Sequence, residues 1–258
     1  ISTLYTQVLK LGPSVGEWDA IPFPGVPGPD NMDYQRGSAY HGLPAPDKDR
    51  FFVSCCHYAS VIYCALAAVG RISPAALDKF NVDGWNMEMI GAEHSPGFEN
   101  TAGSLGQTVS IAAGTAQARK WKGDTGKVYC LLGDGELQEG QTWECVQAAG
   151  YYKLDNFVMI VDANGQQVEG AIENQMTEEP IADRFEAFGA KCVTCDGHDI
   201  DDILRACATE HPDRPLAVIC RTRGTTGIPP LEKKWPFLHF VRIPEGERAE
   251  YQKIYDEM

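Results

Sequence analysis

Short, almost continuously apolar runs alternate with longer amphipathic stretches along most of this chain. Runs of this kind are typical of strands that are buried on both faces of a sheet. Strands are expected at 128–132, 156–161, near 191–195 and at 216–221. Helices are expected at 57–69, 104–120, 138–152, near 180–189 and from Asp199 onward. Strands that alternate with helices predict an α/β fold, a parallel sheet with helices on both faces.

The first 50 residues follow a different pattern. Residues 1–11 have the spacing of the end of an amphipathic helix, with Leu4, Val8 and Leu11 on one side. Gly, Pro and polar residues dominate residues 12–50, and we expect an ordered loop insertion at about 12–46. The whole chain, 1–258, is expected to form one domain. Because it starts with an Ile, we also expect that a segment before residue 1 is missing.

Charge and cysteine usage narrow the class of protein. The chain has 36 acidic against 22 basic residues, a formal charge of −14, and no basic run, which argues against a nucleic-acid partner. No apolar stretch approaches the roughly 20 residues of a membrane span. The nine cysteines lie mostly in apolar runs, which favours reduced thiols and a cytoplasmic location. The pair Cys192 and Cys195 lacks the second pair that a zinc site needs, so structural thiols are expected.

Polar residues follow directly after two of the predicted strands. Gly133-Asp134-Gly135 follows the first, and Asp162-Ala163-Asn164-Gly165 follows the next. The first turn fails as a dinucleotide fingerprint, since Gln138 stands where the third glycine belongs. Parallel sheets bind ligands at the carboxyl ends of their strands, so both turns are candidates for a site.

An Asp beside a diphosphate requires a cation between the two negative charges. Mg²⁺ takes oxygen ligands, and Asp134, the amide oxygen of Asn164 and a backbone carbonyl near Gln166 could supply them. The glycines would let the backbone approach the phosphates. Taken alone, the first turn could equally be a strand-to-helix connection with a capping acid.

The spacing of the two turns and the residues in and around them resemble a known family. An Asn stands 30 residues after the Asp, and GDGELQEGQTWE with YYKLDNFVMIVDANGQQVEG is similar to the diphosphate domain of transketolases. The resemblance runs from about Asp49 to the C-terminus and is densest over 101–170. It implies thiamine diphosphate and Mg²⁺ (or Ca²⁺ or Mn²⁺) as cofactors. It also implies Asp134, Asn164 and Gln166 as metal ligands, with Gly133 and Gly135 against the diphosphate.

The same resemblance extends to other cofactor residues. Gly103-Ser104-Leu105 begins a loop similar to the family's GSLGQG, where the first glycine's backbone meets the aminopyrimidine and the Leu packs on the cofactor. Glu139 matches an acid that relays between two cofactor sites, and it also suits a helix N-terminus. Thr108 replaces the loop's usual final glycine.

Three histidines are candidates for catalysis. His57 stands in DRFFVSCCH, which resembles the family's DRFVLSxGH, and His239 stands where a second histidine approaches the diphosphate. His94 is displaced relative to a family histidine that faces substrate, and its role is a hypothesis only. Without the motif, His57 would more often be a packed or capping side chain. Cys56 replaces the usual glycine before it.

The resemblance also implies a partner. In transketolases a separate pyrimidine-binding domain supplies the glutamate that activates the cofactor, and we expect it here on a second polypeptide, in an α2β2 heterotetramer. The complex would transfer a two-carbon ketol unit from a ketose, or ketose phosphate, to an aldose. Two alternatives stay open. One is a subunit of another thiamine diphosphate enzyme, such as a 2-oxoacid dehydrogenase or carboligase, and the other is a non-catalytic regulatory or assembly subunit.

Overall fold

The computed structural model describes residues 1–14, 18–176 and 179–257. Within them, the central sheet consists of parallel strands in the order β1-β2-β3-β7-β6. These strands are β1 Arg50–Val53, β2 Val128–Gly133, β3 Phe157–Ala163, β6 Lys191–Asp196 and β7 Leu216–Arg221. Between β3 and β6, β4 Gln166–Gln167 and β5 Gly170–Ala171 form a small antiparallel hairpin. The predicted parallel α/β architecture is confirmed.

The predicted helices are present, but several begin later than expected. The helices are α1 Ala59–Ala68, α2 Thr108–Lys122, α3 Gly140–Tyr151, α4 Ile181–Ala187, α5 Ile200–Cys207, α6 Pro229–Glu232 and α7 Arg248–Glu257. Before α2 the chain forms a loop in which Gly106 has φ +78°. Before α3 it forms a 3-10 turn, Gly135–Gln138. Because both helices start late, backbone that is not α-helical lies at the carboxyl edge of the sheet.

The core lies on both faces of the sheet, because successive strand residues point to opposite sides. Phe51, Tyr129 and Val158 pack on the face that α1 and α5 cover. Phe52 and Cys130 pack on the opposite face, under α2, α3 and α4. Every residue of β2 is buried, as the continuous apolar run predicts. The two hydrophobic layers fix the strands and thereby the positions of the turns that follow them.

The N-terminal segment is helical over a shorter stretch than predicted. A π-helical turn spans Leu4–Val8, and Leu9 is already extended, with φ −75° and ψ 123°. Leu4 is buried, and Val8 and Leu11 pack against the core, so the three residues do share one side. The helix stops early because the chain continues into the predicted loop.

The Gly- and Pro-rich segment 12–46 packs against the body of the protein. The Arg71 side chain donates hydrogen bonds to the carbonyl oxygens of Tyr40 and Gly12, at 3.0 and 2.8 Å. Trp18 forms a bridge with Ile72, and its ring packs on Tyr40. Residues 15–17 lie outside the described part. Among the described residues, no helix is long and apolar enough to cross a membrane.

Candidate functional site

The two polar turns meet at the carboxyl edge of the sheet because β2 and β3 are neighbours. Gly133 pairs with Asp162 in the strand register. The Asp134 carboxylate accepts hydrogen bonds from the backbone N–H of Gly135 at 2.9 Å and of Gly165 at 2.6 Å. Asp134 is buried. The turn after β3 is therefore held directly against the predicted metal-binding carboxylate.

The side chain of Asn164 is fixed by hydrogen bonds at both ends of its amide. Its Nδ2 donates to the Tyr58 hydroxyl and to Asp162 Oδ2, both at 3.0 Å. Its Oδ1 accepts from the backbone N–H of Gln166 at 2.9 Å. The side chain of Gln166 in turn accepts from the backbone N–H of Leu238 at 3.2 Å. The three predicted metal ligands thus belong to one hydrogen-bonded assembly.

Asp162 organises a small network that the sequence alone did not reveal. Its carboxylate accepts from the Tyr58 hydroxyl at 2.6 Å and from the Thr222 hydroxyl at 2.5 Å. Burial, followed by the charges of Cys55 and Asp162, raises the pKa of Tyr58. The position of Asp162 in the DANG turn was visible in the sequence. Tyr58 was visible only as the residue that follows His57.

The predicted glycines leave open space beside the backbone. A Cβ added at Gly133 would have its nearest heavy atoms 4.0 Å away, and one at Gly135 would have them at 3.5 Å. Around Gly103 no heavy atom lies within 4 Å of such a Cβ. Gly103 and Ser104 are exposed, and Leu105 is half-buried. A ligand could therefore approach the backbone at both segments.

Glu136 joins three parts of the site, and no pattern in the sequence had pointed to it. Its carboxylate accepts hydrogen bonds from the Ser54 hydroxyl, the Gly106 N–H at 2.6 Å and the Gly133 N–H at 3.4 Å. The residue is buried, and this burial, with the nearby charge of Glu139, raises the pKa of its carboxyl group. The end of β1, the 103–107 loop and the turn after β2 are held together by this one side chain.

Glu139 stands at the N-terminus of α3 beside the 103–107 loop. Gly106 packs so closely on it that a Cβ at Gly106 would lie 2.7 Å from the Cβ of Glu139. Together with the left-handed φ, this contact requires glycine at position 106. The loop and the GDGELQEG segment are therefore fitted to one another.

Two of the predicted histidines are brought together. The rings of His57 and His239 have centroids 5.3 Å apart, although 182 positions separate them in the chain. Burial, and then the proximity of His239, lowers the pKa of His57, so its imidazole is neutral at pH 7. A neutral imidazole can donate one hydrogen bond and accept another.

His94 lies in a separate cluster, beneath the 12–46 segment. Its Nε2 hydrogen-bonds to Glu88, and the Phe23 ring packs against it with centroids 4.8 Å apart. Burial opposes ionisation of Glu88, but hydrogen bonds from His94 and Ser95 outweigh it and lower the pKa of that carboxyl. His94 Nδ1 is buried, with no hydrogen-bond partner among the described residues. Its predicted contact with substrate stays a hypothesis.

The two departures from the family's glycines are accommodated. Cys56 is buried at the start of a 3-10 turn and does not need a positive φ. Thr108 begins α2, and its hydroxyl accepts a hydrogen bond from the Asn100 side chain at 3.0 Å. Neither substitution distorts the elements that carry the site.

The cysteines are free thiols. Cys192 and Cys195 both lie in β6, and the Sγ of Cys195 is 3.6 Å from that of Cys220 on β7. Among the described residues, no three His, Cys, Asp or Glu side chains form a metal-binding group. A metal at the site above would instead need mixed carboxylate, amide and carbonyl oxygens.

Comparisons with known proteins identify the family to which this chain belongs. The family described as "Transketolase, thiamine diphosphate binding domain" matches residues 42–235. A putative uncharacterised transketolase family protein, y4mO, of Sinorhizobium fredii is 41% identical over 81% of this chain and 76% of its own length. One of the subunits of an apulose-4-phosphate transketolase, from Actinobacillus succinogenes, is 33% identical over 80% of this chain and 74% of its own.

Longer transketolases match over part of their length only. The transketolase of Pongo abelii is 34% identical over 83% of this chain, which spans 34% of that protein. The solved structure of Campylobacter jejuni transketolase superposes with a TM-score of 0.64 at 26% identity, over 83% of this chain and 39% of that one. This chain therefore belongs to the transketolase family and contains that family's thiamine-diphosphate-binding domain.

Proposed function

We propose that this chain is the thiamine-diphosphate-binding subunit of a split, Mg²⁺-dependent transketolase. The complete enzyme would transfer a two-carbon ketol unit from a ketose phosphate to an aldose. The observation that carries the proposal is the contact between the Asp134 carboxylate and the turn that holds Asn164 and Gln166. The family supports the reaction type, and the carboxylate, amide and carbonyl oxygens at one edge of the sheet support the proposed metal site.

The residues present fit the cofactor and the metal. Mg²⁺ binds oxygen ligands, and when it is bound to phosphates the protein supplies the remaining oxygens. A carboxylate, an amide oxygen and a backbone carbonyl are such ligands. In our proposal Asp134, Asn164 and Gln166 hold the ion. Gly133 and Gly135, which have open space beside them, accept the diphosphate. When bound, thiamine diphosphate supplies the carbon nucleophile that cleaves the ketose and carries the two-carbon unit.

The remaining site residues would bind and orient. His57 and His239, which lie side by side, donate hydrogen bonds to diphosphate or substrate oxygens. The backbone of Gly103 and Ser104 meets the aminopyrimidine, and Leu105 packs on the ring. Glu139 connects this site with a second one in the complex.

A second, different polypeptide would complete the active site. Support comes from two relatives that are themselves named as subunits of an apulose-4-phosphate transketolase. This chain covers 74% of the one from Actinobacillus succinogenes and 68% of the one from Phocaeicola vulgatus, which is 37% identical. The partner would bring the pyrimidine-binding domain and its glutamate, and an α2β2 heterotetramer is the simplest arrangement. By the same similarity, we propose a phosphorylated ketose as donor, with apulose-4-phosphate as the first compound to test.

The test has two parts: cofactor binding is measured for two variants, and donor substrates are then screened with the wild-type complex. Asp134→Ala should weaken Mg²⁺-dependent binding of thiamine diphosphate by more than about 100-fold, beyond the roughly 10–100-fold effect of changes around a metal site. Asp155→Ala, at a partly exposed pair with Lys120, is the matched control and should bind as the wild type does. The wild-type complex is then given ketose phosphates and 2-oxoacids as donors. Tight binding by Asp134→Ala would refute the site, and turnover of 2-oxoacids alone would refute the reaction.

A further inference from the structure

The Tyr58 hydroxyl stands inside the proposed metal site although tyrosine is not among its predicted ligands. It lies at the start of α1, and its ring packs edge-on against His57 with centroids 4.8 Å apart. The hydroxyl is 2.6 Å from Asp162 and 3.0 Å from the amide nitrogen of Asn164. It therefore contacts both a proposed metal ligand, Asn164, and the carboxylate of Asp162 two residues before it.

The direction of each hydrogen bond in this network is determined by chemistry. Carboxylate oxygens accept hydrogen bonds, and Tyr58 and Thr222 both donate to Asp162. A phenol has a single proton, and once that proton is donated to Asp162, the oxygen of Tyr58 can only accept from Asn164. The chain of bonds consequently runs from Asn164 to Tyr58 to Asp162, with Thr222 donating from the other side.

This directionality selects one of the two orientations of the Asn164 amide. Both acceptors, the Tyr58 hydroxyl and Asp162 Oδ2, lie at the side of Nδ2. If the amide turned by 180°, its oxygen would face the acceptor oxygen of Asp162 that Nδ2 now contacts. The oxygen would also lose the hydrogen bond that it accepts from the backbone N–H of Gln166.

We propose that Tyr58 is a positioning residue that holds the Asn164 amide with its oxygen toward the metal ion. The inference rests on the function proposed above, since Asn164 is a ligand only if that site binds a metal. Tyr58 acts through Asn164 and Asp162 and does not itself bind the ion. Groups that orient metal ligands in this way commonly change metal affinity by about 10–100-fold.

The experiment uses Tyr58→Phe, which removes only the hydroxyl. The control is Tyr63→Phe in α1, the helix that follows Tyr58, where the lost hydroxyl is also within the protein but donates to the carbonyl of Glu88 at 2.9 Å. Both are expressed in the source cells so that any partner copurifies. Mn²⁺ affinity in the presence of thiamine diphosphate is measured by titration, together with the melting temperature without metal.

We expect Tyr58→Phe to bind Mn²⁺ about ten-fold more weakly, while Tyr63→Phe binds it as the wild type does and loses a similar amount of thermal stability. Equal Mn²⁺ affinity in Tyr58→Phe and wild type would overturn the inference and leave the proposed function intact. Absence of Mn²⁺ binding in the wild type would instead refute the proposed site. If Tyr58→Phe does not fold, Tyr58→Met, whose flexible side chain also lacks the hydroxyl, takes its place, and unchanged Mn²⁺ affinity in that variant overturns the inference.

Discussion

Replacement of Glu136 by Ala should destabilise the protein and release the 103–107 loop. Glu136 accepts hydrogen bonds from Ser54 and, at 2.6 Å, from the Gly106 N–H, with a longer one from Gly133. Hydrogen bonds to a charged group contribute about 1.5–3 kcal/mol each, and the buried donors would be left unpaired. Counting the two short bonds and allowing for relief of the buried charge, we expect a loss of about 3–5 kcal/mol.

Glu136→Gln separates the loss of charge from the loss of the hydrogen bonds. Burial raises the pKa of Glu136, which means that the charged form is less favourable in the folded protein than in the unfolded chain. Gln keeps an acceptor for Ser54 and Gly106, so a loss of only about 1 kcal/mol is expected.

The assay is urea unfolding, with exposed Glu144→Ala as a control that should change the free energy of unfolding by less than about 0.5 kcal/mol. The reasoning fails if Glu136→Ala is as stable as Glu136→Gln.

Two further predictions concern backbone strain and pH. Gly106→Ala should lower the free energy of unfolding by at least about 1–2 kcal/mol because of its left-handed φ. Gly114→Ala, where an added Cβ meets nothing within 4 Å, should raise it by up to about 1 kcal/mol; equal effects in urea unfolding would contradict this. Burial opposes ionisation of Glu99, but the hydrogen bonds from Arg50, with His41 only 3.7 Å away, lower its pKa from 4.5 to about 2. Its carboxylate therefore stabilises the fold above pH 4.5 and loses that effect toward pH 2. Glu99→Gln should cost about 3 kcal/mol at pH 7, and a difference from wild type that does not shrink in unfolding below pH 4.5 would refute it.

The strands and the meeting of the two turns could be predicted because local rules determine them. Continuous apolar runs mark buried strands, and parallel strands present their carboxyl ends at one edge. Asp134 and the turn of Asn164 were expected together for this reason, and the structure joins them through the Gly165 N–H. The starts of α2 and α3 were misplaced since Gly106 and the turn before Glu139 replace helix with site-forming loops.

The supporting residues could not be predicted, because their partners are remote in the chain. Tyr58 reaches Asp162 across 104 positions, and no local pattern reports such a contact. Glu136 stands in a turn where an acid would normally be exposed, yet it is buried by donors from two other segments. The strand order, in which β7 lies between β3 and β6, is likewise a property of the whole fold.

The central claim is that this chain holds thiamine diphosphate and works with a different polypeptide. Native mass spectrometry of the untagged protein from its source cells, with thiamine diphosphate and Mg²⁺ present, tests both parts in one measurement. We predict a complex that contains a second, different chain and the mass of the cofactor. A cofactor-free assembly of this chain alone, unchanged when cofactor and metal are added, would contradict the account.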